Sequence, residues 1–186
     1  MSEILGTLFK YLLALLAIAA VVAVLYEALS SNKESTAVSQ ITSLQANLSQ
    51  LYAGSNGGSF DSTPADLVKA GVVPSSMVSE SGTSTSLVDP WGGAVTLATA
   101  STTAGGTGIQ ITLNNVPQAA CVKLVSTLLS AMDQITFSSS SKPLTASTGA
   151  DLASLVGSGG GCASTSGNTI NFIFPANVQS TAGGSS

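Results

Sequence analysis

Histidine and arginine are both absent from the 186 residues. The first absence removes the commonest general base and the commonest metal ligand. The second leaves five lysines against nine acidic residues, a net charge of −4, and so no basic patch to hold a phosphate backbone; nucleic acid is excluded as a partner by the usual electrostatic route. Cysteine is nearly absent too. Two cysteines, Cys121 and Cys162, in an otherwise thiol-free chain rich in Ser and Thr point to one disulfide made in an oxidising compartment. The alternative is two unrelated buried thiols. The acids Asp61, Asp66, Asp89, Asp133 and Asp151 are spaced singly, whereas a calcium loop needs several oxygen ligands close together. The glycine run Gly157–Gly161 lacks the Lys-Ser/Thr of a phosphate loop. With no nucleophile and base to pair, the chain is read as not an enzyme, with no catalytic, cofactor or metal residues.

What is present begins with a long apolar segment. Tyr11–Tyr26 carries no charge, glycine or proline. At 1.5 Å per residue it is about 24 Å long, slightly short of the ~30 Å hydrocarbon core of a bilayer. Ile4, Leu5, Leu8 and Phe9 extend it, and Lys10 can reach toward a polar interface. Three readings compete: a cleaved secretory signal ending near Ala28-Leu29-Ser30, a permanent single-span anchor, and a helix that anchors first and later forms the core of a polymer. The acidic Glu3, ahead of the first lysine, counts against the signal peptide.

The residues that follow favour the third reading. From Thr7 to Ala53 there is no helix breaker, and Ala37, Ile41, Leu44, Leu48 and Leu51 recur at spacings of four and three. That is one apolar stripe on a helix. The pattern predicts one continuous helix over residues 2–53. Its first part, 1–29, is apolar nearly all round. Its second part, 30–53, is amphipathic and lies under a globular head formed by 54–186. An ordinary anchor is more often followed by a flexible linker.

In the head, Gly54–Asp61 reads as a turn-rich loop. Thr63 caps a short helix that opens on Pro64 and stops at Gly71. Asp89-Pro90-Trp91-Gly92-Gly93 is a rigid turn, whose lone tryptophan is read as capping a core rather than stacking on a ligand. Strands are predicted at Ala94–Ala98 and Ile109–Leu113, a helix at Gln118–Met132, a short strand at Ile135–Phe137, irregular chain over 138–149, a short helix at Asp151–Val156 and a last strand at Ile170–Phe174. The tail from Ser180 is expected to be disordered. Asn47-Leu48-Ser49 matches a glycosylation pattern but sits on the buried type of helix and is discounted. The fold class is therefore α+β: a long N-terminal α-helix, hydrophobic then amphipathic, packed on a small antiparallel-sheet head with one disulfide.

In order along the chain, Ser31-Asn32-Lys33 with Thr36–Gln40, Leu44–Tyr52, Ala70–Met77, Pro90-Trp91-Gly92-Gly93 with Val95, and Val116–Leu124 around Cys121 resemble the type IVb pilins, particularly those of the thin pili of conjugative plasmids. The resemblance spans most of the chain and implies a pilin fold. It implies a prepilin held in the inner membrane, cut and methylated at its new N-terminus by a prepilin peptidase. It implies assembly, with a cytoplasmic ATPase, a platform protein and a secretin, into an extracellular helical homopolymer for attachment and mating-pair contact. Minor pilins and secretion-system pseudopilins share the helix, and an anchored periplasmic binding or adhesin domain is the alternative from another class. The assembly residues expected on this basis are Met1, Glu3, Lys10, Leu12, Leu15, Ile18 and Val22. No convincing leader is visible, which leaves Met1 as either the processed N-terminus or the start codon, and the family's glutamate at the fifth mature position is Leu5 here. Glu3 is the one nearby acid, so either Glu3 or no residue takes its role. Lys10, a lone charge in a bundled core, calls for Glu3 or a C-terminal helix carbonyl of a neighbour as its partner, the alternative being that it reaches a headgroup or a solvent channel.

Overall fold

The structure, a computed structural model, describes residues 2–53, 58–59, 63–82, 84–149, 151–165, 167–176 and 178–179. Met1, most of the expected loop at 54–61 and the tail from Ser180 lie outside the described residues.

Helix α1 runs unbroken over Ser2–Ala53. Its C-terminal part is amphipathic, and the head closes on one face of it. Ala37, Ile41, Leu44 and Leu48 are all buried there, and Tyr52 continues the row. Leu51 does not: it is 44% exposed while Tyr52 is 6% exposed. Helical geometry explains the exchange. Tyr52 follows Leu48 by four residues, about 40° off its direction, and Leu51 by three, about 60° off. The larger ring also has more apolar area to cover.

The other elements follow in the order β1 (Gly58–Ser59), α2 (Pro64–Lys69), a 3-10 turn (Ser75–Met77), β2 (Val78–Ser81), β3 (Ser84–Val88), β4 (Ala94–Ser101), β5 (Thr107–Val116), α3 (Gln118–Leu128), β6 (Gln134–Phe137), β7 (Ser140–Leu144), α4 (Leu152–Val156), β8 (Asn168–Pro175) and β9 (Val178–Gln179). Seven strands make an antiparallel sheet ordered β2-β3-β4-β5-β8-β6-β7, and β1 pairs separately, in parallel, with β9. The sheet centre is β5 against β8, where Ile109, Ile111 and Leu113 lie beside Phe174, Phe172 and Ile170. All six are essentially fully buried. The core is one contiguous cluster joining this sheet to α1 and α3. The helix stripe thus supplies one wall of the head's core, and removing the helix would expose it.

Several elements differ from the sequence reading. Helix α3 stops at Leu128, four residues before Met132, because Ala131 turns back onto the Leu128 carbonyl and the Asp133 N–H already bonds to Ile173 on β8. Leu129 and Met132 remain in the core. Strands β2, β3 and β7 were not expected. They are Ser/Thr-rich with few buried positions, so their alternation is too weak to read; they form by pairing with neighbours already in place. Strand β7 is a sheet edge and carries Lys142 and Pro143, which suit an edge that must not recruit another strand. The short helix at 64 has the expected cap: the Thr63 hydroxyl accepts from the Asp66 N–H and donates to the Asp66 carboxylate at 2.6 Å.

Candidate functional site

Two regions of α1 have opposite surroundings. From Leu8 to Val22 the described apolar side chains are exposed: Leu12, Leu15, Ile18 and Val22 are all more than half exposed, as are Leu8, Phe9 and Tyr11. Lys10, among them, is also exposed. Exposed apolar residues scattered singly are ordinary, but a helix apolar all round with nothing packed on it is a surface awaiting a partner. Glu3 lies on the same helix, and its side chain is outside the described set, as are those of residues 23–30. Among the described residues no helix is long and apolar enough to cross a membrane.

The second region holds α1 to the head through polar contacts that periodicity does not reveal. Glu34, 8% exposed, makes a salt bridge to Lys123 of α3 at 3.0 Å. The amide of Gln40 donates to Ser76 at 2.9 Å, that of Gln45 to the Ala131 carbonyl at 3.1 Å, and that of Asn47 to the Val72 carbonyl at 2.8 Å. The contacts of Glu34, Gln40 and Asn47 satisfy polar groups that docking would otherwise strand, while the Gln45 bond lies at the exposed edge. Asn47 is therefore committed to the helix–head contact.

Within the head, Cys121 of α3 and Cys162 form a disulfide with a Cα–Cα distance of 5.8 Å, both residues fully buried. It pins the loop that follows α4 to α3. Gln118, one turn before Cys121, donates to the Cys162 carbonyl at 3.0 Å and reinforces the link. Buried Asn168 closes the neighbouring loop, donating to the carbonyls of Val116 and Ser164 while its own oxygen accepts from the Ser164 N–H.

The turn at Asp89 is clamped onto β5. One carboxylate oxygen of Asp89 accepts from the N–H groups of Trp91 (2.9 Å) and Gly93 (2.8 Å), and the Asn114 amide donates to the Ala94 carbonyl (2.8 Å). Trp91 packs half-buried against the core. The second carboxylate oxygen, Oδ2, is buried without a hydrogen-bond donor. Burial pushes the Asp89 carboxyl above its ordinary 3.8, against the opposing effect of the backbone N–H groups and of Lys33. A raised folded pKa contributes stability that is full below 3.8 and lost as the pH rises through the folded value. In Asp89→Asn the amide keeps the two accepted bonds and cannot ionise. The stability of this variant relative to wild type should therefore grow between pH 4 and pH 7, and thermal melts at the two pH values measure it. A pH-independent difference would mean that Asp89 ionises in the fold as freely as it does in water.

Among the described residues no three His, Cys, Asp or Glu side chains gather to hold a metal. The candidate site is a surface, the bare apolar length of α1, borne on a disulfide-linked head. A family model described as PilS N terminal matches residues 31–174. The chain belongs to the PilS family. The match begins where the apolar region of α1 ends and takes in the amphipathic region, the sheet and both cysteines. The type IV b pilin from Salmonella typhi is 25% identical, with a TM-score of 0.58 over 76% of this chain and 99% of that one. TcpA, a type IV pilin from Vibrio cholerae El Tor biotype, shares the fold at 16% identity, with a TM-score of 0.52 over 77% of this chain and 99% of that one. No curated protein sequence matches this one significantly. This PilS-family chain has the type IV pilin fold, and pilins are structural subunits.

Proposed function

We propose that the chain is the major subunit of an extracellular type IVb pilus, polymerising through the apolar N-terminal region of α1 into a filament for attachment and conjugative mating contact. The observation that carries this reading is the division within one helix: one face of residues 37–52, formed by Ala37, Ile41, Leu44, Leu48 and Tyr52, is buried in the head while the described apolar side chains from Leu8 to Val22 are bare. The rigid helix projects that surface away from the head, where only a bilayer or other copies of itself can cover it. On this reading residues 1–29 rest in the inner membrane before assembly and form the filament core after it, and 54–186 form the filament's outer surface. Leu12, Leu15, Ile18 and Val22 are the packing residues. Processing at Met1, and hand-over by a prepilin peptidase, ATPase, platform protein and secretin, belong to the same proposal.

Material sheared from cells expressing the chain with its assembly genes, viewed by electron microscopy with an antibody to the head, tests it. Thin, uniformly labelled filaments are expected. Leu15→Glu should lower their yield more than tenfold without altering the melting of the head, because residue 15 lies far outside the head's core. Label confined to membranes, or sparse along filaments of another subunit, would replace this reading with an anchored module or a minor pilin.

A further inference from the structure

A cavity of about 180 Å³ opens on the head between β7 and α4, and no described residue that lines it belongs to α1. Buried Phe137, Leu144 and Leu155 line its depth. Exposed Lys142, Thr148, Asp151 and Ser154, with half-buried Ser140, line its mouth. Lys142 and Asp151 carry opposite charges, so these mouth residues are neutral as a group.

The wall of this cavity gives the glycine run Gly157–Gly161 a role that is not phosphate binding. A Cβ on Gly161 would run into the Phe137 ring, and one on Gly160 into the Leu155 carbonyl. Only glycine lets the backbone approach this closely. The Ser139 hydroxyl donates to the carbonyls of Gly160 (3.1 Å) and Gly161 (3.2 Å), and the Cys162 N–H donates to the Leu155 carbonyl at 2.8 Å. The disulfide then ties Cys162 to α3. At α4, the Asp151 carboxylate accepts from the Ala153 N–H at 3.2 Å, and the Ser154 hydroxyl donates to the Asp151 carbonyl at 2.7 Å. The cavity is therefore held in shape before any ligand arrives, which lowers the ordering cost of binding.

Size and chemistry select the ligand. A cavity of about 150 Å³ takes one benzene ring, whereas sites for drug-sized molecules start at about 300 Å³. This one therefore suits a single six-membered ring whose substituents reach the open mouth. A purely apolar ring would leave the polar mouth unpaired, and a ligand of one net charge would face its own sign at Lys142 or Asp151. A pyranose ring meets both demands. Its C–H groups can cover Phe137, Leu144 and Leu155. Its hydroxyls can donate to the Asp151 carboxylate and accept from the Lys142 ammonium, while Ser140, Thr148 and Ser154 can do either. We infer that this cavity binds one neutral pyranose, either as a free sugar or as the terminal residue of a surface glycan. The site lies wholly in the head and does not depend on polymerisation.

Nuclear magnetic resonance titration of the isotope-labelled full-length chain, held in a detergent without sugar headgroups, tests it. The probes are glucose, galactose, mannose and N-acetylglucosamine, with free leucine as a zwitterion of similar size. At least one sugar should give saturable shifts centred on the amides of residues 137–161, with a dissociation constant on the order of 1 mM, the weak end of specific binding. Lys142→Met should weaken that binding about tenfold, the usual loss of a hydrogen bond to a charged group. Ser154→Phe, which fills the mouth, should abolish it. Both positions are exposed, so both variants should melt as the wild type does. A short oligosaccharide ending in the preferred sugar that binds as tightly as the free sugar identifies a surface glycan as the source; binding of the free sugar alone identifies the monosaccharide. No saturable shift with any of the sugars, binding that survives both variants, or shifts with leucine and with no sugar would each overturn the site. None of these results bears on the filament reading, which rests on α1.

Discussion

Replacing Cys121 and Cys162 together by Ala is expected to lower the stability of the head by about 4 kcal/mol, the cost of reopening a loop of this length in the unfolded chain. The bond spans 41 residues, which hold β6, β7 and α4, elements with little core of their own. Among the described residues β7 pairs only with β6, and α4 places Leu155 in the core. Without the bond that segment is held chiefly by β6 on β8 and by the Gln118 contact. The loss should appear as a fall of about 2 M in the urea midpoint of Trp91 fluorescence in the full chain. Because Cys121 and Cys162 are both fully buried, dithiothreitol should reach the bond only as the head unfolds, and native protein should resist reduction. An unchanged midpoint would show that the loop is closed by other contacts even in the unfolded chain. A disulfide matters more here than in an average domain: aromatic residues make up 5% of the sequence, and the core is mostly aliphatic side chains on a Ser/Thr-rich sheet.

Gly93→Ala is expected to cost about 3 kcal/mol or more, among the largest effects of a single added methyl group in this chain. A Cβ on Gly93 would run into the backbone carbonyl of Asn114 and come within 2.7 Å of the buried Asp89 carboxylate. The obstacle is mainly backbone in the central sheet, so no rotamer change relieves it. Its neighbour makes the control. A Cβ on Gly92 meets nothing, and the left-handed conformation there (φ 83°) costs Ala about 1 kcal/mol. Thermal melts of the two variants should therefore differ clearly although the substitutions are adjacent. Equal melts would mean that β4 and β5 separate at this end at little cost, and that the Asp89 turn is not clamped.

The sequence alone carried the long helix, because one apolar stripe at spacings of four and three can be read without knowing what covers it. It also carried the Thr63 cap, the Asp89–Gly93 turn and the strands with buried alternation, Ile109–Leu113 and Ile170–Phe174, since each depends on neighbours a few residues away. The pilin resemblance was legible for the same reason: its motifs are short and ordered along the chain. What covers each surface could not be read this way. Whether Leu51 or Tyr52 closes the stripe depends on where the head lies around the helix. Glu34, Gln40 and Asn47 look like solvated residues of a polar face until α3, Ser76 and Val72 are brought against them from 25 or more positions away. Asp89 reads as a turn residue, and its unpartnered oxygen exists only because β5 seals the turn. Strands β2, β3 and β7 have too little buried surface to declare themselves and are made by pairing. Local periodicity and capping chemistry are written in adjacent residues, while burial, ion pairing and edge-strand formation are decided by groups that only folding brings together.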